Sequence, residues 1–167
     1  MKFFLFTCLF FTAFTGKAQD NLDTPPYKRF PTVPPLQLLL GDSATKYGKD
    51  NIPKNKPVLV MMFDPECSHC QHSAEEMYQH KNELKDIEIV LATIAPIHQM
   101  NNFMQKYKLA ELKNIVAGKD IYFLLPPFFS MKSFPFLAMY NKKGDLIEGM
   151  EGSFPINKVI QKFKENK

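Results

Sequence analysis

Tryptophan is missing from this 167-residue sequence and cysteine occurs only three times, against 16 phenylalanines and 13 prolines. So few cysteines exclude a fold stapled by several disulfides. An excess of either charge is also lacking: 21 Lys and Arg face 17 Asp and Glu, a formal +4, which provides no basic footprint for nucleic acid. No internal repeat or low-complexity tract breaks the chain. The apolar stretch within residues 3–14 is about a dozen residues long, short of the ~20 that a membrane span requires. What remains is a chain of a length suited to one domain with a sizeable core.

That apolar stretch follows Met1-Lys2 and is closed by Thr15-Gly16-Lys17-Ala18 before the polar Gln19-Asp20. Gly16 and Ala18 supply small residues at alternate positions, so residues 1–18 read as a secretory signal peptide cleaved after Ala18. Leu5-Phe6-Thr7 before Cys8 is a poor lipoprotein signal. Cleavage takes away Cys8 and two lysines, which leaves Cys67 and Cys70 as the only cysteines and lowers the formal charge to +2. An exported chain whose two cysteines are two residues apart points to redox chemistry or metal. The expected location is periplasmic or extracellular, with no membrane insertion after cleavage.

Residues 19–35 carry Pro25-Pro26 and Pro34-Pro35 and read as an extended leader without regular helix. Leu36 to Leu40 could form a short edge strand, and residues 41–56 a polar surface loop. The continuous apolar run from Val58 to Phe63, bounded by Pro57 and Asp64-Pro65, predicts a central strand buried on both faces. From Ser68 to about Glu83 the apolar residues Cys70, Ala74, Met77, Tyr78 and Leu84 recur at helical spacing. Ile87 to Ile94 predicts a second buried strand, and Met100, Phe103, Met104 and Tyr107 a second helix. Residues 113–130 leave strand and helix open, with Pro126-Pro127 closing whatever precedes them. Residues 135–151 read as an antiparallel hairpin turning at Asn141-Lys142-Lys143-Gly144, and Ile156 to Lys164 as a terminal amphipathic helix.

A strand running into Cys67-Ser68-His69-Cys70 at a helix start, a crossover unit, then Ser133-Phe134-Pro135 before a hairpin and a terminal helix resemble the thioredoxin fold. The order of elements is most similar to the exported thiol-disulfide oxidoreductases of the TlpA/ResA type, over residues 36–167. The resemblance implies a single α/β domain with a mixed central sheet of about five strands flanked by helices. It further implies a cis peptide bond before Pro135, with the Phe134 backbone and Pro135 forming the substrate-binding side of the site. The chain departs from that pattern in three places: Glu66 replaces the aromatic before the first cysteine, Met61 occupies the place of a buried aspartate, and Ser73 the place of an acid three residues after the second cysteine. No proton acceptor for Cys70 is therefore evident. Asp64, Glu66 and Glu75 are candidates by nearness alone.

Cys67, at the exposed helix start, is expected to attack, and Cys70, one turn further in, to resolve the mixed disulfide. His69 resembles the histidine of the x-His pair in oxidising DsbA-type proteins and would tune the pair by favouring the Cys67 thiolate, and with it the reduced form. The expected partners are protein thiols and disulfides together with an unidentified redox protein; the chain is expected to act as a monomer without a bound cofactor. An alternative is a metal-handling module of the same fold. Cys67, His69, Cys70 and His72 lie within six residues, and thiolate with imidazole suits copper or zinc. On one helix, however, the two histidines point away from the face shared by the cysteines, so a copper site would need a distant ligand such as His98. A peroxidase of the peroxiredoxin type fits poorly, because no Pro-x-x-x-Thr-x-x-Cys pattern surrounds Cys67. His72, His80 and His98 read as solvated, and Phe128, Phe129, Phe134 and Phe136 as core or as an apolar platform beside the site.

Overall fold

The structure, a computed structural model, describes residues 24–166; the signal-peptide reading lies outside them. Seven strands form one mixed sheet: β1 (Gln37–Leu40), β2 (Lys46–Gly48), β3 (Val58–Met62), β4 (Glu88–Thr93), β5 (Ile115–Asp120), β6 (Phe136–Tyr140) and β7 (Leu146–Glu151). Their order across the sheet is β2-β1-β5-β4-β3-β6-β7. Among the described residues six α-helical segments flank it: α1 (Pro26–Arg29), α2 (Ser68–Gln79), α3 (Lys81–Leu84), α4 (Ile97–Lys106), α5 (Leu125–Phe129) and α6 (Ile156–Glu165). None is long and apolar enough to cross a membrane.

The centre of the sheet follows from the apolar run. All five residues of β3 are buried, and their alternation splits them between two cores. Leu59 and Met61 join Met77, Leu91, Phe103 and Ile160 under α2, α4 and α6. Val58, Val60 and Met62 join Tyr27, Val90, Phe129 and Tyr140 on the opposite face. β4 and β5 run parallel to this strand's direction and β6 antiparallel. The C-terminal ends of β3, β4 and β5 and the N-terminal end of β6 therefore share one rim.

The strand count exceeds the expected five. The segment read as an edge strand, β1, is interior: it pairs antiparallel with both β5 and β2. Gly118 makes room for it, since a Cβ there would meet the Leu38 Cβ at 2.6 Å. The polar stretch read as loop supplies β2, the true edge on that side. Residues 113–130 resolve into β5, a loop and α5, and Pro126-Pro127 open the helix instead of closing an element. Proline is accepted there because the first helical N–H groups have no intrahelical partner.

The leader is not free of helix either. Pro25 precedes a single turn, α1, in which Pro26 takes the first position, again the place where proline fits a helix. Tyr27 on that turn is buried and packs against Phe136 (centroids 5.4 Å apart, T-shaped) and Phe129 (5.9 Å). Gly149 of β7 allows the approach: a Cβ there would come within 2.6 Å of the Tyr27 ring.

Candidate functional site

Asp64 ends the strand and begins a tight turn. The Cys67 N–H donates to the Asp64 carbonyl (3.1 Å) and the Glu66 N–H to Asp64 Oδ1 (2.8 Å). Asp at the first and Pro at the second position suit such a turn, the carboxylate engaging the backbone two residues on. The turn delivers Cys67 to the N-cap of α2. There it is half-buried, beside first-turn N–H groups that favour negative charge. Gln71 Nε2 donates back to the Pro65 carbonyl (3.0 Å) and holds the turn against the helix.

Cys70, one turn in, is fully buried among Phe63, Met61, Ala74 and Leu137. Burial pushes its thiol far above the ordinary range. The nearby Asp64 N–H works against that shift, and a hydrogen bond to Cys67 together with the charges of Cys67 and Asp64 adds to it. Both cysteines are free thiols. The pair is thus asymmetric: one sulfur reachable and flanked by helix N–H groups, the other dry and holding its proton.

The second half of the site comes from the rim's other strand. The Phe134–Pro135 peptide bond is cis, Pro135 is buried, and the Phe134 carbonyl lies 3.7 Å from Cys67 Sγ, within reach of its S–H. β6 begins at the next residue and pairs with β3, Phe136 opposite Met62. This register brings the two sequence segments together. Glu151, at the end of β7, accepts the backbone N–H groups of both Lys132 and Ser133 and fixes the approach to Phe134.

His69 is exposed. Met61 is buried against the same core as Cys70, and the Ser73 hydroxyl donates to the His69 carbonyl (3.0 Å), so neither supplies an acid–base group. Glu66 and Glu75 are exposed, Asp64 half-buried. His72 is exposed near Glu76, His80 pairs with Glu83 (2.8 Å), and His98 is exposed. No group of three or more His, Cys, Asp or Glu among the described residues is arranged to hold a metal ion. Of the four phenylalanines, Phe129 and Phe136 are buried while Phe128 and Phe134 are half-buried. The exposed apolar side chains of the rim are instead Ile94 and the run Ile121, Tyr122 and Phe123 after β5. The sequence reading missed these and Glu151. An acid closing a strand carries no local signal, and residues 113–130 leave strand and helix open in the sequence.

A mixed sheet flanked by helices, with a Cys-x-x-Cys helix start opposite a cis-proline, is the architecture of the thioredoxin fold, and this chain has that fold. No family model matches the sequence, and no curated protein does. Among solved structures the chain is similar to DsbF of Mycobacterium tuberculosis, with a TM-score of 0.67 and 17% identity over 81% of this chain and 100% of that one. It is likewise similar to the exposed lipoprotein thioredoxin Etrx1 of Streptococcus pneumoniae, with 0.60 and 23% over 79% and 99%. The peroxidoxin BcpB of Mycobacterium tuberculosis matches at 0.67 with 10% identity over 81% and 96%. At these identities the likeness is one of fold.

Proposed function

We propose that the chain is an exported thiol-disulfide oxidoreductase that exchanges disulfides with partner proteins through Cys67 and Cys70. The observation that carries this reading is the pairing of a reachable sulfur at a helix N-terminus, facing the Phe134 carbonyl, with a buried sulfur one turn away. Cys67 attacks a substrate disulfide, and a mixed disulfide forms while one substrate thiolate leaves. Cys70 then displaces the second substrate sulfur and closes Cys67–Cys70. The Phe134 carbonyl offers a backbone acceptor to an extended substrate segment lying across Pro135, and His69 tunes the pair from the solvent side.

The signal-like residues 1–18 support export, and the balanced charge of the remainder fits a protein substrate. The test is turnover of a disulfide-bonded model protein by the reduced chain. Wild type is expected to form a mixed disulfide and release substrate thiols; Cys67→Ser is expected to do neither, and Cys70→Ser to stall at the mixed disulfide. Exchange that survives in Cys67→Ser would refute the assignment. N-terminal sequencing of the chain recovered from an exporting host checks cleavage after Ala18.

A further inference from the structure

Between the end of α5 and the start of β6 the chain forms no strand, yet its backbone donors are almost all taken. The Ser130 N–H donates to the Pro127 carbonyl (3.2 Å) and the Met131 N–H to the Pro126 carbonyl (3.0 Å), which closes the helix. The Lys132 and Ser133 N–H groups both donate to one carboxylate oxygen of Glu151, the last residue of β7. Pro135 has no N–H, and its carbonyl accepts from the N–H of Gly152 (2.8 Å), the residue after Glu151. That leaves Phe134. No hydrogen bond to a described residue takes up its N–H, and among those residues its carbonyl meets only the Cys67 S–H. An open donor and an open acceptor on one residue form a pairing edge for an extended chain, one residue long.

We infer that Glu151 is the positioning residue for backbone recognition of the substrate, an inference that rests on the thiol-disulfide reading above. Its carboxylate makes charge-assisted hydrogen bonds to the two residues before Phe134, while Gly152 holds the residue after it. The end of β7 therefore fixes Phe134 from both sides, with its carbonyl 3.7 Å from Cys67 Sγ. By occupying the N–H groups of Lys132 and Ser133, Glu151 also confines the donors open to a partner to Phe134. Apart from Cys67, no other side chain of a described residue hydrogen-bonds to the backbone of residues 130–135. Glu151 touches neither sulfur nor substrate in this arrangement; it acts through Phe134. The substrate class follows. The site favours a polypeptide disulfide whose backbone beside the cysteine is extended and can pair with Phe134, and it offers no such help to a small disulfide without peptide groups.

Glu151 is exposed, so its truncation removes no core packing. The experiment oxidises the reduced chain in single turnovers with two disulfides in excess: a linear peptide disulfide with residues on both sides of each cysteine, and hydroxyethyl disulfide, which has no peptide group. Rates against concentration give a half-saturation concentration and a limiting rate for the peptide. Glu151→Ala is expected to raise that half-saturation concentration roughly tenfold, the worth of about one hydrogen bond, at an unchanged limiting rate. Its reaction with hydroxyethyl disulfide should match wild type. Glu151→Gln, whose amide oxygen still accepts, is expected to recover most of the peptide affinity. A second probe uses wild type alone: N-methylation of the peptide amides beside each cysteine removes the donors that would pair with Phe134, and should weaken binding by a similar factor. In Glu151→Ala the same methylation should add little. An N-methylated peptide that wild type takes as readily as its parent overturns the inference, and no folded variant is required to see it. So does an unchanged peptide half-saturation in Glu151→Ala, an equal loss with both disulfides, or a Glu151→Gln protein no better than Glu151→Ala. Failure of wild type to react with either disulfide would bring down the thiol-disulfide reading itself and the role of Glu151 with it.

Discussion

Raising the pH from about 8 to about 10 is expected to destabilise the reduced protein more than the oxidised one, and the cause is Cys70. Its side chain is fully buried, and burial, opposed by the Asp64 N–H and reinforced by the hydrogen bond to Cys67, lifts the thiol far above its ordinary value of 9.0. The sign follows from proton counting. In the unfolded chain the thiol ionises once the pH passes about 9, while in the folded chain it keeps its proton, so the folded state binds more protons and stability falls. The full contribution is present below the unfolded value and is lost as the pH climbs toward the folded one. At pH 10 the loss is about 1.4 kcal/mol, and a further ~1.4 kcal/mol goes with each unit above that until the folded thiol ionises. Tyr47, pushed up to about 12 by burial and the Glu88 charge, and Tyr140, raised mainly by burial, contribute losses of the same sign. Those two act equally in every redox form and cancel in a comparison. The assay is guanidinium denaturation of the oxidised protein, the reduced protein and reduced Cys70→Ala at stepped pH, under a phosphine reductant where reduction is needed. The reduced wild type should carry the extra slope, and the oxidised and Cys70→Ala proteins should lack it. Parallel pH dependence of reduced wild type and Cys70→Ala would refute the reasoning.

Two further outcomes test other parts of the structure. His69→Pro is expected to make the reduction potential of the cysteine pair more negative by about 30 mV if the imidazole favours the Cys67 thiolate tenfold; position 69 lies in the first turn of α2, where proline is tolerated, and a redox titration shifting the other way would remove His69 from the chemistry. Tyr27→Ala is expected to cost about 3 kcal/mol, the lower range for truncating a buried aromatic, because the ring packs on Phe129 and Phe136; denaturation midpoints equal to wild type would show that α1 does not hold its place on the sheet.

The parts of this fold that could be read from the chain are those in which one local pattern has one physical meaning. Val58 to Phe63 is apolar at every position, and only a strand covered on both faces uses such a run at that length. Cys70, Ala74 and Met77 share one face of α2 and lie in the core as their spacing implies. Ser133-Phe134-Pro135 carried weight only through resemblance; no property of those three residues alone places them opposite Cys67. What could not be read has equally physical reasons. Lys46-Tyr47-Gly48 shows no usable alternation, and β2 exists because β1 offers it an edge. Pro126 and Pro127 argue against a helix anywhere but its first turn, which is where they lie. The half-buried position of Asp64 is set by a turn and by packing from other elements, so its difference from Glu66 and Glu75 appears only in three dimensions.

The pairing of β3 with β6 also governs when the site comes into being. Cys67 and Cys70 precede Phe134 by more than sixty residues, and the Phe134 carbonyl reaches Cys67 only after β6 has docked. A chain growing from its N-terminus, or one cut short before residue 131, exposes both thiols with no partner strand over them, since long-range strand pairing waits for the later segment. During synthesis the cysteine pair is accordingly present before the site that surrounds it, and the C-terminal hairpin marks the change from one state to the other.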